Sequence, residues 1–203
     1  MRAKILYALV AGSLLAAGTP PAHAADGAAL ELVRKECSTC HGTRGISVAP
    51  TFPHLAAQQA EYLEVQLRAF RDHSRADPHA QAYMWGMAAQ LTDPTIKEIS
   101  KYFSTQPAPV PPQAGAAEIA AGKKIFEEGV PTQSVPPCQS CHMPNAHGNG
   151  PFPRLAGQHR QYLEKQLEVF AAGVRANEMM HATAQTLTAL QISQLAAFLS
   201  SQP

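Results

Sequence analysis

Aromatic residues are scarce in this chain, 6% of 203 positions, while prolines number seventeen. That balance argues against a β-sandwich and for short helices joined by ordered loops. An excess of one charge is also missing, with 16 Lys and Arg against 15 Asp and Glu. No Lys/Arg run is long enough to track a phosphate backbone, which excludes nucleic acid as a partner. Long apolar stretches are limited to one, Ile5 to about Ala17, and it falls short of the ~20 residues needed to cross a bilayer. Cysteine is limited to four residues, all inside two short motifs.

The apolar stretch has a different use. Arg2 and Lys4 precede it, and Ala22-His23-Ala24 places small residues around a cleavage point. This is the pattern of a secretory signal peptide over 1–24, with the mature chain starting at Ala25. No cysteine follows the cleavage point to take a lipid anchor. The expected product is a soluble protein exported to the periplasm, without a transmembrane anchor of its own. Loss of Arg2 and Lys4 leaves it slightly acidic.

Cys37-Ser38-Thr39-Cys40-His41 recurs as Cys138-Gln139-Ser140-Cys141-His142. Paired Cys-x-x-Cys motifs also occur in four-thiolate zinc sites and in redox disulfides, but neither needs a histidine after both pairs. Cys-x-x-Cys-His is the attachment signature of c-type haem. The two thiols bond to the vinyl groups of one porphyrin, and the histidine is then held beneath the iron as proximal ligand. Two motifs imply two haem c, covalently attached, one per domain.

The rest of the chain repeats around these motifs. Ala28 to Glu36 is expected to form a leading helix, followed by a loop from Gly42 to Pro53 that is rich in turn formers. Apolar residues recur at helical spacing from Gln58 to Arg71. A variable segment, Asp72 to Gln81, leads to Met84. Thr92 is placed to cap a helix running to about Thr105, with Pro94 in its first turn. Gln106 to Pro112 cannot continue a helix and reads as an extended linker.

Ala114 to Glu128 then repeats the leading helix. Phe52-Pro53-His54-Leu55 returns as Phe152-Pro153-Arg154-Leu155, and Gln58, Tyr62 and Gln66 return as Gln158, Tyr162 and Gln166. Thr188 with Gln191 forms a capping-box pattern before the last helix. The expected organisation is a signal peptide over 1–24, domain 1 over 25–106, a Pro-rich linker over 107–113 and domain 2 over 114–203. Units this small need a staple, and a central haem is one. The fold class is all-α.

A proximal histidine leaves the other iron face to be filled. Met84 and Met87 follow the first motif, Met179 and Met180 the second. Most methionines only fill core gaps, but a haem to be capped reverses that expectation. Met84 precedes Leu91 by the interval at which Met180 precedes Leu187, so register selects Met84 and Met180. The metal ligands expected are therefore His41, Met84, His142 and Met180.

His54, His73, His79, His147 and His159 read as surface or loop residues, while His181, beside Met180, is the competing ligand to watch. The ring N–H of His41 needs a backbone acceptor, from Pro50 or Pro53, and that of His142 from Pro151 or Pro153. The Gln58/Tyr62/Gln66 stripe and its repeat lie on one helix face. They face haem propionates, the partner domain or simply solvent.

Together these residues resemble the dihaem cytochrome c4 family. The resemblance runs from Cys37 to Pro203 on Cys-x-x-Cys-His, Phe-Pro-x-Leu-Ala, Gln-x-x-x-Tyr-Leu and Met-x-x-x-Ala-x-x-Leu, each present twice. It implies tandem class I cytochrome c domains facing each other across a pseudo-twofold axis. It also implies a periplasmic carrier of electrons between redox partner proteins, among them a membrane-bound donor complex and a terminal oxidase. Gly122 in the second leading helix has no clear equivalent in the first, and Ala56-Ala57 stands where the second half has Ala156-Gly157. A haem subunit docked permanently on a dehydrogenase is the alternative. An enzyme in its own right fits least, because both irons are expected to carry two protein ligands.

Overall fold

A computed structural model describes residues 22–112 and 115–203. The expected signal peptide therefore lies mostly outside the described residues, as does Gln113 of the linker. The described residues are helical and form no sheet. Their only β pairings are isolated bridges, Val130 to Val135 and Asn149 to Phe152.

In the first half, α1 (Ala22–Leu32) does not stop before the cysteine motif. It continues through a π turn, Val33–Cys37, into α2 (Ser38–His41). No Gly or Pro interrupts the chain from Ala28 to His41, so nothing breaks the helix until Gly42. The expected end at Glu36 was therefore too early. Next come α3 (Ala60–Arg71), a π segment Ala80–Met84 leading into α4 (Trp85–Ala88), and α5 (Asp93–Ser104). Thr92 caps α5, its Oγ1 accepting from the Thr95 N–H at 3.3 Å. The core holds Ala29 and Val33 from the leading helix, Leu63 from α3, and Ile99 and Phe103 from α5.

The second half comprises α6 (Ala116–Glu128), α7 (Gln139–His142), α8 (Arg160–Ala171), α9 (Glu178–Ala184) and α10 (Ala189–Ser200). Here the leading helix does end early, at Gly129, and a loop closed by the Val130–Val135 bridge carries the chain to Cys138. Thr188 and Gln191 form the expected capping box, with bonds of 3.2 and 2.8 Å. Phe126, Leu163, Leu195 and Leu199 centre this core. Burying one such side chain contributes roughly 1.5–3 kcal/mol.

Two positions separate the halves sterically. Gly122 lets α6 lie directly on α10, where a β-carbon would sit 2.0 Å from the Gln194 carbonyl oxygen. Ala29 takes the corresponding place before buried Val33. Gly157 has φ of +69°, and Ala57 holds the same left-handed region at +56°. That costs a non-glycine residue ~1–2 kcal/mol.

Between the halves runs a polar seam. The Gln58/Tyr62/Gln66 stripe faces the other domain, not solvent. Gln58 and Gln158 are 7% and 6% exposed and bond to the backbone of the opposite half.

Candidate functional site

A cavity lies beside each cysteine motif, about 320 Å³ at the first and about 510 Å³ at the second. Cys37, Cys40, His41 and Met84 line the first. Cys138, Cys141, His142 and Met180 line the second. Every sequence-selected site residue therefore sits with its own set. The two cysteine pairs lie in separate cavities, which removes the shared four-thiolate arrangement. All four cysteines are unpaired.

The short helices α2 and α7 aim the histidines. His41 is 7% exposed and His142 8%. His41 Nδ1–H donates to the Pro53 carbonyl at 2.9 Å, and His142 Nδ1–H to the Pro153 carbonyl at 3.0 Å. Of the expected acceptor pairs, the second member is used in both halves. These bonds fix the tautomer and leave Nε2 with its lone pair. Burial pushes both rings below the ordinary histidine value, although the proline carbonyls oppose the shift. A neutral imidazole is what a metal requires. Burial also pushes the Cys37 thiol up, and that of Cys138 up to about 11. Neither thiol resembles the low-pKa thiolate of a redox disulfide.

The methionine positions differ in exposure. Met87 and Met179 line the cavities but are 50% and 57% exposed, whereas Met84 and Met180 are partly buried. Asn177 orients the second pair by capping α9, its Oδ1 accepting from the Met180 N–H at 2.9 Å. The competing His181 does not line the second cavity, and its Nδ1–H donates to the Phe170 carbonyl at 2.8 Å. His147 bonds to the Pro203 carbonyl, and His73 stacks on Trp85. His79 lies exposed at the rim of the first cavity.

His54 and His159 are not plain surface residues. They meet across the seam with ring centroids 3.8 Å apart. His54 Nδ1 accepts from the Ser47 N–H at 3.1 Å. Burial, and then the neighbouring imidazole of His159, lowers its pKa to about 4.

The least anticipated residues are two buried arginines. Arg75 and Arg175 are 8% and 6% exposed and line the second cavity, and Arg75 also lines the first. Arg75 pairs with Asp77 at 2.9 Å. Burial alone would raise the Asp77 carboxyl, but the adjacent guanidinium outweighs it and holds the group below its ordinary value. Arg175 has only neutral partners: Gln66, Gln166 and the Tyr62 hydroxyl. Among the described residues no carboxylate pairs with it. Arg75 falls within the segment that reads as variable, yet Arg75 and Arg175 share the spacing that relates Gln58 to Gln158. That repeat was the available signal.

The donor set and the cavity fit haem c. A thiol pair, a neutral imidazole and a thioether line each apolar space, and a buried guanidinium lacking a carboxylate suits propionates. The cavities share walls, with Gln66, Arg75, Tyr162 and Gln166 lining both.

Comparison with known proteins points to the same cofactor. The cytochrome c family pattern matches twice, over residues 24–107 and 119–203. Cytochrome c-552 of Acidithiobacillus ferridurans is 40% identical, over 96% of this chain and 86% of its own length. The structure of Acidithiobacillus ferrooxidans cytochrome c4 superposes with a TM-score of 0.77 at 41% identity, covering 81% of this chain and 98% of that one. A thiosulfate dehydrogenase electron acceptor from Thiomonas intermedia is 35% identical, over 82% of this chain and 78% of its own.

Proposed function

The chain belongs to the dihaem cytochrome c4 family, electron-transfer proteins with one covalent haem c in each of two tandem class I cytochrome c domains, and we propose that it is a periplasmic carrier delivering electrons to a terminal oxidase. Cys37 and Cys40 hold the first haem and Cys138 and Cys141 the second. His41 with Met84, and His142 with Met180, are the axial pairs. One observation carries this reading: in each half a cysteine pair, a histidine tied by Nδ1 to a proline carbonyl and a methionine line a single cavity.

The bound haem supplies a one-electron couple. The chain's own residues set its character. The imidazole is held in one tautomer by Pro53 or Pro153, and the thioether favours ferrous iron and so raises the potential. With an imidazole and a thioether both committed to the iron, no position would remain for substrate, and the chemistry supplied would be outer-sphere electron transfer. The parts proposed are a signal peptide over 1–24, domains over 25–106 and 114–203, and a linker over 107–113. No described helix is long and apolar enough to cross a membrane.

Carbon monoxide tests the axial pairs. The reduced protein is expected to show no rapid binding, and rapid binding at either haem would overturn the reading. A second reading, a haem subunit docked on a dehydrogenase, is favoured by the relative that serves as a thiosulfate dehydrogenase electron acceptor. Gel filtration of a native periplasmic extract separates the two. A carrier elutes at the size of the mature dihaem chain alone, whereas a docked subunit co-elutes with a dehydrogenase.

A further inference from the structure

The peptide group that anchors each histidine is also held from the opposite domain. The Pro53–His54 peptide accepts the His41 Nδ1–H at its carbonyl, 2.9 Å away. Its own N–H, on His54, donates to Gln158 Oε1 at 2.8 Å, and Gln158 Nε2–H returns to the His54 carbonyl at 2.9 Å. The other half mirrors this arrangement. The Pro153–Arg154 peptide accepts from His142 at 3.0 Å, its N–H donates to Gln58 Oε1 at 2.7 Å, and Gln58 Nε2–H donates to the Arg154 carbonyl at 2.9 Å. Both glutamine side chains are buried, so water does not compete for these bonds.

We propose that Gln58 and Gln158 are positioning residues through which each domain tunes the haem of the other. The proposal rests on the reading of His41 and His142 as axial ligands. A peptide whose N–H is engaged has a more polarised carbonyl, because linked hydrogen bonds strengthen one another. A stronger carbonyl acceptor draws more on the imidazole N–H and makes that ring a better donor to iron. A better donor favours the ferric state and lowers the potential. Gln158 in domain 2 therefore lowers the potential of the haem in domain 1, and Gln58 does the reverse. Coupling through a defined chain of bonds predicts a crossed pattern that loosening of the seam does not.

The test uses the full dihaem protein, with each haem's midpoint potential followed separately through its hyperfine-shifted methyl resonances. Gln158→Leu is expected to raise the first haem's potential and leave the second unmoved, and Gln58→Leu to raise only the second. Gln158→Glu keeps an acceptor for the His54 N–H and is expected to produce no rise. If a leucine variant does not take up both haems, the corresponding Gln→Asn variant replaces it, its side chain one methylene too short to span the seam. A shift confined to the variant's own domain, an equal shift in both or none at all would overturn the proposal. Failure of the ligation reading would show separately, as a high-spin oxidised spectrum in the unaltered protein.

Discussion

The halves differ most where the chain approaches the cysteines and least where it approaches the neighbouring domain. In the first, the helix runs unbroken from α1 through a π turn to His41. In the second it stops at Gly129, and a bridged loop intervenes before Cys138. Asp77 neutralises Arg75, whereas Asn177 stands at the matching place and caps α9 instead. The histidine-to-proline bond, the glutamine laid on the opposite backbone and the buried arginine occur in both halves. The shared features touch the haem cavity or the seam, and the differing ones serve a single core or a single charge. The cavity and the seam therefore constrain each half more tightly than its own packing does.

The sharpest way to break the symmetry is to remove one staple. Replacing Cys138 and Cys141 together by Ala is expected to abolish the second haem and leave the first, halving the pyridine haemochrome absorbance per chain. The mirror substitution at Cys37 and Cys40 is expected to spare the second haem. Next in size is the leading helix. Gly122→Ala forces α6 off the Gln194 carbonyl and is expected to cost about 1–3 kcal/mol or more, the range for overpacking. Ala29→Gly in the first half should cost only ~1 kcal/mol, the helix-propensity difference. Urea unfolding reads both.

The charge difference is expected to matter less for stability than for potential. Removing one partner of a buried ion pair commonly costs ~3–5 kcal/mol, but Arg175 is accommodated without a carboxylate, so Asp77→Asn should fall below that range. Loss of the negative charge should raise the first haem's potential, and Asn177→Asp should lower the second's. Spectroelectrochemical titration checks both directions.

The smallest effect concerns pH. His54, with a folded pKa of about 4 against 6.5 for the free ring, binds fewer protons folded than unfolded between those values. The stability it contributes is present in full above the unfolded value and falls as pH drops towards 4, where protonation would set Nδ1–H against the Ser47 N–H. His54→Asn should flatten this dependence, measured as the urea midpoint at pH 7 and pH 5. The matching position is Arg154, which contributes no such slope.

Much of this was legible in the residues alone. Both haem motifs, the helices around Tyr62 and Tyr162, and the Thr92 and Thr188 caps rest on local spacing, and local spacing is what a sequence displays. Register chose Met84 and Met180 over their neighbours, and the structure leaves those two as the less exposed members. The destination of the glutamine stripe was not legible, because solvent-facing and domain-facing helix surfaces can carry the same polar residues. Arg75 and Arg175 sit in matching loops and each reaches a partner on the opposite half, so no nearby pattern announces them. The π turn at Val33–Cys37 escaped because the residues leading into the motif look like any short helix.

The central claim is an iron held between an imidazole and a thioether in each half. The near-infrared sulfur-to-iron band of the oxidised protein tests it most directly, in Met84→Ala and Met180→Ala compared with the unaltered chain. Each single replacement is expected to remove about half of the band, and the double replacement all of it, with the haems still covalently attached. A band that survives undiminished in either single variant would contradict the account.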